Sequence, residues 1–194
     1  MRWRGIFRIP TARKVGGDYT AGAFFVTWCV KGRVECLARI DEGQSFPTSV
    51  GMIVDDEWHK TAIVRPNVTL DAWVVMPDHV HGILILHDAE ATAHREVTAH
   101  REETAHREEE TAHREEETGP SRLLAGSLGA IIGQIKSIAT KRIWAAGFPA
   151  FEWQARFHDR ILRNEKALMA ARQYIQDNPA EWERHRDNPD GPMR

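Results

Sequence analysis

The hydrophobic pattern of the first half of the chain predicts four strands and one helix. Apolar, β-branched and aromatic runs indicate strands at residues 23–30, 34–40, 68–75 and 79–86. The first two strands are expected to pair as a hairpin across the turn at 31–33. Ser49 is the expected N-cap of a helix reaching about residue 62, because apolar side chains recur there at helical spacing.

The second half is expected to supply two helices and one more strand. Ser127 is the expected cap of a helix that runs to about residue 144 and has an apolar face of leucine, isoleucine and alanine. A partly alternating stretch within 151–163 predicts an edge strand. Asn164 is the expected cap of a last helix, 165–178. Pro179 should end that helix, because proline cannot continue its backbone hydrogen bonds.

A short internal repeat interrupts this series of elements. The units T-A-H-R-E-V, T-A-H-R-E-E and twice T-A-H-R-E-E-E run from Thr92 to Glu117. The repeat holds no apolar residue larger than valine, so it cannot bury a core. We therefore interpret residues 88–120 as a low-complexity, disordered insertion in a single domain that spans 1–194.

The insertion also dominates the net charge of the chain. The formal charge is −2, but residues 92–118 alone carry 4 basic and 9 acidic side chains. The remaining 22 basic and 19 acidic residues leave +3, which permits a nucleic-acid partner without requiring one. No apolar run is long enough to span a membrane, and two cysteines make no disulfide framework, so we expect a cytoplasmic protein without a membrane partner.

Two histidines lie in the most apolar of the predicted strands. His79 and His81 flank Val80 in the segment M-P-D-H-V-H-G-I-L, residues 76–84. Because successive side chains of a strand point to opposite faces, both imidazoles should project from one face. Such a pair can bind a metal ion, although two surface histidines on an ordinary strand would give the same pattern.

A tyrosine and an asparagine share one face of the predicted last helix. Tyr174 and Asn178 are four residues apart. Three small residues are expected near them on that face and would let the helix approach its neighbour closely: Ala167, Ala170 and Ala171. A tyrosine at the rim of the core, with its hydroxyl in water, would suit the same pattern.

Taken together, the two pairs predict phosphoryl-transfer chemistry. A tyrosine hydroxyl, with an ordinary pKa of about 10, is a weak nucleophile at neutral pH unless it or its target is activated. A divalent cation held by His79 and His81, with Asn178 as a third ligand, would polarise a phosphate oxygen. We therefore expect Tyr174 to attack a DNA phosphodiester and form a phosphotyrosine bond, which a second strand end can reverse.

These residues resemble those of the single-tyrosine HUH transposases, and most closely the REP-associated tyrosine transposases. The similarity rests on M-P-D-H-V-H-G-I-L at 76–84 and R-Q-Y-I-Q-D-N-P at 172–179. It extends, in the same order, to G-A-F-F-V-T at 22–27, R-P-N-V-T-L-D-A-W-V-V-M-P at 65–77, S-L-G-A-I-I-G-Q-I-K-S at 127–137 and W-Q-A-R-F-H-D-R-I-L-R at 153–163. Transposases of this class place the tyrosine after the histidines, as Tyr174 is placed, whereas Tyr19 precedes them. Many relatives have asparagine where this chain has Asp78.

The resemblance implies both a fold and an activity. The fold is a ferredoxin-like α+β domain with a central antiparallel sheet flanked by helices. The activity is metal-dependent nicking and joining of single-stranded DNA, with hairpins of palindromic repeats as substrate. Tyr174 would be the nucleophile, and His79, His81 and Asn178 would bind Mg²⁺ or Mn²⁺. The working state would be a monomer or a homodimer.

Two other functions stay open on the sequence. In the first, the domain only binds hairpin DNA, with unpaired bases stacked on tryptophans. Its phosphate contacts would be Arg2, Arg4, Lys136, Lys141 and Arg160. The tryptophans expected in the core instead are Trp28, Trp58 and Trp73. In the second, His79 and His81 serve a small metal hydrolase or oxygenase. That site would need another ligand, and Asp78 is expected to point to the opposite face of the strand.

Overall fold

The computed structural model describes residues 21–87 and 126–187. The predicted insertion at 88–120, with Arg2, Arg4 and Tyr19, lies outside the described residues. The strands in those two ranges are β1 (Gly22–Cys29), β2 (Ala38–Asp41), β3 (Gln44–Pro47), β4 (Val68–Val75), β5 (His79–Leu86) and β6 (His158–Leu162). The helices are α1 (Ser49–Val64), α2 (Leu128–Ala145) and α3 (Glu165–Asp187), with a 3-10 turn at Lys31–Arg33.

Four of the strands form an antiparallel sheet in the order β4-β5-β1-β6. β1 pairs with β5 along its whole length, so that Thr27 lies opposite His81 and Cys29 lies opposite His79. On its other side β1 pairs with β6, which places Thr27 opposite His158. β6 is the edge strand that the alternating stretch predicted, and the mixed α/β architecture with a central antiparallel sheet is confirmed.

The register sorts the side chains of the sheet onto two covered faces, because residues opposite each other on paired strands project to the same side. Trp28, Val80 and Leu84 pack with α1 and α2 in the larger apolar cluster. Phe25 and Ile83 pack on the other side with α3 in a smaller cluster. The predicted core positions of two tryptophans are confirmed, since Trp28 and Trp58 are fully buried, and Trp73 packs partly buried against them.

The predicted hairpin between the first two strands is wrong. β1 already has partners on both sides, so a following strand cannot join it. The N–H groups of Cys36 and Leu37 instead donate to the Pro77 carbonyl, and β2 pairs with β3 in a separate two-stranded sheet. The turn between them has Glu42 and Gly43 at φ 48° and 70°, as a type I′ hairpin requires.

The ends of the helices agree with the sequence at two caps and differ at two other places. Ser127 and Asn164 cap α2 and α3 as predicted, by accepting from backbone N–H groups three residues on. α1 is capped by Thr48, one residue before the predicted Ser49. Pro179 does not end α3, which continues for two more turns to Asp187. Those turns are held from outside the helix, where the Glu183 carboxylate accepts from the Gly43 N–H at 2.7 Å.

Candidate active site

The alternation of β5 brings His79 and His81 to the face of the sheet that α3 covers. Both side chains are buried, with 1% and 3% of their surface exposed, so they are not surface histidines of an ordinary strand. Their Nε2 atoms lie 2.9 Å apart, and the rings meet edge to face with centroids 4.6 Å apart. The two imidazoles therefore aim at one common point rather than lying side by side.

The outer nitrogens of both histidines have hydrogen-bond partners. His79 Nδ1 lies 2.5 Å from Asp78 Oδ1, and His81 Nδ1 lies 2.7 Å from Thr27 Oγ1. Asp78 is also paired with Arg33, whose Nε lies 2.7 Å from Oδ2. The expectation that Asp78 points away from the histidines is wrong, because β5 begins at His79. Asp78 lies in the bend before the strand, where alternation does not apply.

α3 places three side chains, at intervals of four residues, over the histidine pair. The Tyr174 ring lies 5.2 Å from the His81 ring, and the Trp182 ring lies 5.6 Å from the His79 ring. Asn178 falls between them on the helix, is buried, and shares a hydrogen bond with the Tyr174 side chain. The structure thus brings together all four residues that the sequence singled out for chemistry.

Trp182 was missed by sequence reasoning. Its spacing from Tyr174 and Asn178 was the available signal, since residues eight and four apart share a helix face. The assumption that Pro179 ends the helix hid that signal. Trp182 closes the His79 side of the site, as Tyr174 closes the His81 side.

Below Tyr174 the helix approaches the sheet through small residues. Ala167 and Ala171 pack against the Phe25 cluster, as predicted, whereas Ala170 is exposed and its predicted position is wrong. Arg172 fixes the helix laterally by a two-pronged contact with Asp71 of β4, with Nε–Oδ1 at 2.9 Å and Nη2–Oδ2 at 2.6 Å. Close packing and this ion pair together hold Tyr174 over the histidines.

Burial sets the protonation of the site. It lowers the pKa of His79 to about 3, with help from the Arg33 charge, and it lowers the pKa of His81 well below the usual range. Burial also raises the pKa of Asp78 to about 6 against the opposing charge of Arg33. The pKa of Tyr174 is raised by burial, although its bond to Asn178 acts in the other direction. At neutral pH the histidines are therefore neutral, Asp78 is ionised and Tyr174 keeps its proton.

The donor groups suit a small divalent cation. Two ligands at right angles, each about 2.0–2.1 Å from one ion, lie about 2.9 Å apart, the separation of the two Nε2 atoms. Hydrogen bonds to the outer ring nitrogens are the usual arrangement around metal-binding histidines. In the part of the chain that the structure describes, no group of three His, Cys, Asp or Glu side chains gathers as a metal site. If the histidine pair held such an ion, a third protein ligand would have to come from a group such as the Asn178 amide.

The basic residues predicted to contact DNA are not gathered in one place. Arg160 is exposed on β6, opposite Phe25, and so lies on the histidine face of the sheet. Lys136 and Lys141 lie on α2, which covers the other face. The Lys136 ammonium donates to the carbonyls of Gln154 and Arg156, at 2.5 and 3.3 Å, whereas Lys141 is exposed. Among the described basic residues of that set, Arg160 is therefore the one that lies on the histidine face.

Comparison with known proteins supports the fold. An uncharacterised protein of Haemophilus influenzae is 27% identical over 166 residues, which cover 84% of this chain and 82% of the other. The structure of a REP-associated tyrosine transposase bound to a REP hairpin aligns with a TM-score of 0.52 and 20% identity, over 84% of this chain and 69% of that one. No protein-family model matches the sequence. The chain therefore has the fold of the REP-associated tyrosine transposase, as the resemblance implied.

Among residues 21–87 and 126–187, no helix is long and apolar enough to cross a bilayer.

Proposed function

We propose that the chain is a REP-associated tyrosine transposase of the HUH type, which nicks and joins single-stranded DNA through a covalent bond to Tyr174. The single observation that carries this proposal is the gathering of His79, His81, Tyr174 and Asn178 at one buried point. Simple DNA binding would need none of these four residues in contact. Burying neutral imidazoles and an amide costs free energy, which favours a chemical role for the group.

In the proposed step, the Tyr174 oxygen attacks the phosphorus of a DNA phosphodiester. A new P–O bond to tyrosine forms as the bond to one deoxyribose oxygen breaks. The tyrosine proton is released to solvent, and the leaving oxygen takes up a proton to become a free hydroxyl. Because one phosphodiester replaces another, the bond energy is kept, and a hydroxyl of a second strand end can reverse the step and join DNA.

His79, His81 and Asn178 would hold the ion that this step needs, Mg²⁺ or Mn²⁺. When bound, a divalent cation polarises a non-bridging phosphate oxygen and offsets charge in the transition state. The chain's own contribution is to orient the reactants. Asn178 holds the Tyr174 hydroxyl through a hydrogen bond, and the rings of Tyr174 and Trp182 exclude water from the imidazoles.

The proposed substrate is hairpin DNA of the palindromic-repeat type. A solved structure with the same fold is that of a REP-associated tyrosine transposase bound to a REP hairpin. Arg160 is an exposed cation on the histidine face and is the proposed contact to phosphates that lead away from the site. A hairpin-binding module with little cleavage is the second candidate, because the shared fold supports binding as much as chemistry.

A covalent-adduct assay tests the proposal. The purified full chain is incubated with labelled single-stranded hairpin DNA from the flanks of its own coding region, with Mn²⁺, Mg²⁺ or EDTA. We expect a protein–DNA band that survives denaturation, requires the divalent ion and disappears in Tyr174→Phe. Tyr19→Phe is the matched control, since the chain has two tyrosines and this variant should keep the band.

The same assay separates the candidates. Hairpin binding by the wild type without any adduct would refute the nuclease and favour the binding module. An ion-dependent cut that persists in Tyr174→Phe would refute the assigned nucleophile and favour a metal hydrolase, which has no use for the tyrosine. Hairpin affinity, measured in parallel by gel shift, should be unchanged in Tyr174→Phe, because the variant lacks a single oxygen atom.

A further inference from the structure

The two histidines have unlike partners on their outer nitrogens. Asp78 Oδ1 lies 2.5 Å from His79 Nδ1, while Thr27 Oγ1 lies 2.7 Å from His81 Nδ1. An ionised carboxylate only accepts hydrogen bonds, whereas a hydroxyl either donates or accepts. His79 is therefore held in one tautomer by its partner, and His81 is free to change tautomer with the Thr27 hydroxyl following.

Arg33 holds Asp78 in its ionised form and in place. The guanidinium Nε lies 2.7 Å from Asp78 Oδ2, and Nη1 donates to Cys29 Sγ at 2.6 Å. Arg33 has φ 57°, the left-handed conformation that residues other than glycine seldom adopt. Such conformations persist where the surroundings hold them, and they cluster at functional sites. Here the unusual backbone belongs to the residue that reaches Asp78.

Backbone hydrogen bonds fix the bend that carries the carboxylate. The Val30 N–H donates to the Asp78 carbonyl at 2.9 Å, and the N–H groups of Cys36 and Leu37 donate to the Pro77 carbonyl. The bend is thus bound to the chain on both sides of Arg33. The Asp78 side chain is 5% exposed, so it has no route to a solvated rotamer. The contact with His79 is therefore a fixed feature of the fold.

We propose that Asp78, held by Arg33, keeps His79 in the Nδ1–H tautomer, and that Thr27 lets His81 change tautomer when a cation binds. His79 Nε2 then presents a lone pair in both states. Without the cation, His81 donates its Nε2–H to His79 Nε2 across 2.9 Å and accepts from the Thr27 hydroxyl. In the cation-bound protein, His81 carries its proton on Nδ1 and donates to Thr27. Asp78, Arg33 and Thr27 are thus positioning residues.

The proposal predicts what asparagine would do at position 78. Arg33 only donates, so it would hold the amide oxygen and turn the amide N–H toward His79. That N–H donates to an unprotonated Nδ1, so His79 gains the Nε2–H tautomer and donates to His81. The hydrogen bond between the two Nε2 atoms then uses the His79 proton and competes with binding of the ion. Partners of metal-binding histidines typically change metal affinity by about 10–100-fold, so we expect Asp78→Asn to weaken Mn²⁺ binding by about 10-fold or more. Asparagine has nearly the shape of aspartate, so packing is preserved.

The tautomers can be read directly, without metal and without activity. Long-range ¹H–¹⁵N spectra of the ¹⁵N-histidine-labelled full chain, assigned with His79→Gln and His81→Gln, should show wild-type His79 protonated on Nδ1. Asp78→Asn should move protonation to Nε2. Asp56→Asn is the matched control, because it removes another ion-paired carboxylate, on α1 across the sheet from the histidines, and should leave both histidines unchanged. If His79 keeps its proton on Nδ1 in Asp78→Asn, the proposal is overturned.

Mn²⁺ binding, followed by the EPR signal of the free ion, provides the second readout. Asp78→Asn and Thr27→Val should each bind about 10-fold more weakly than the wild type, and Asp56→Asn should bind equally well. A merely structural role would lower the thermal midpoint of Asp78→Asn without changing the tautomer or the affinity, and that result would overturn the proposal.

The proposal rests on the proposed function for the binding of a divalent ion at the histidine pair, whereas the tautomer of His79 without the ion does not depend on it. Its failure and the failure of that function are distinguishable. A wild type with the expected tautomers and Mn²⁺ affinities, but without a covalent adduct, would refute the nuclease and leave the role of Asp78 standing. An adduct that forms equally well in Asp78→Asn, with unchanged tautomers, would support the nuclease and refute the role of Asp78.

Discussion

The two faces of the sheet are covered by different kinds of side chain. The face under α1 and α2 is closed by tryptophans, with Trp58 stacked on Trp73 at 4.4 Å between ring centroids and both rings packed on Trp28. The face under α3 is closed by imidazoles and a phenol. The same strands supply both, since alternate residues of β1 and β5 project to opposite sides.

The distribution of buried polar groups shows the difference most directly. Of the six buried polar or charged residues among the described ranges, four lie at the α3 face: Asp78, His79, His81 and Asn178. Burying such groups costs free energy that hydrogen bonds offset only in part. The tryptophan face therefore stabilises the domain, and that stability offsets the free-energy cost of burying the imidazoles, Asp78 and Asn178 on the other face.

The largest expected effect comes from removing the centre of the tryptophan face. Trp58 is fully buried, and a Trp→Ala change in a core costs about 3–5 kcal/mol, so Trp58→Ala should lower the free energy of unfolding by that amount. Urea denaturation followed by circular dichroism measures it. Tyr174→Phe, on the opposite face, should stay within about 1 kcal/mol of the wild type. Equal losses of unfolding free energy in the two variants would contradict the inference that the tryptophan face supplies most of the stability.

A smaller loss of stability is expected from adding a methyl group at Gly82, which packs directly against two of these tryptophans. A Cβ added at Gly82 would lie 2.7 Å from the Trp58 ring and 2.8 Å from the Trp73 ring. Overpacking of this kind typically costs about 1–3 kcal/mol, so Gly82→Ala should be destabilised by that amount in urea.

Gly133 in α2 offers a matched control for the same substitution. A Cβ there meets nothing within 4 Å, and the position is exposed on a helix. Alanine is favoured over glycine inside a helix by about 1 kcal/mol, so Gly133→Ala should be stabilised. The free energy of unfolding should therefore fall in Gly82→Ala and rise in Gly133→Ala, relative to the wild type. A stable Gly82→Ala would show that the tryptophan stack is looser than its contacts indicate.

The features that could be predicted from the sequence are those that depend on local periodicity. The placement of His79 and His81 on one face, and of Tyr174 with Asn178 on one helix face, follows from the periodicity of strands and helices, which is local. The caps Ser127 and Asn164 are local as well. These features could be predicted because each depends on a few neighbouring residues.

What was missed depends on distant contacts. Asp78 reaches His79 because hydrogen bonds hold the bend before β5 to residues forty or more positions earlier. Trp182 reaches the site because α3 continues past Pro179, where contacts with the β2–β3 turn hold it. β3 was not predicted, because it has four residues and no clear alternation of polar and apolar side chains. The short turn before it was the one sign of a hairpin in the sequence. Tertiary structure overrides local preference at each of these positions.

The smallest expected effect concerns the ion pair that fixes α3 at the β4 edge. Hydrogen bonds from Arg172 hold the pKa of Asp71 below its ordinary value of 3.8. A folded state with a lowered carboxyl pKa binds that proton less tightly than the unfolded state, so the pair stabilises the fold above about pH 4. That contribution is lost as the pH falls through the lower folded pKa.

Asp71→Asn should therefore be less stable than the wild type at pH 7, by less than Gly82→Ala, since partly exposed ion pairs contribute little. The difference in urea midpoint between the two proteins should shrink below pH 4 and vanish in stronger acid. A difference that persists unchanged at low pH would mean that Asp71 acts through packing rather than charge. Because the pair anchors the helix that carries Tyr174, the adduct should also form more slowly in Asp71→Asn at pH 7. Such a loss would show that the imidazole face depends on the placement of α3 as well as on its own buried groups.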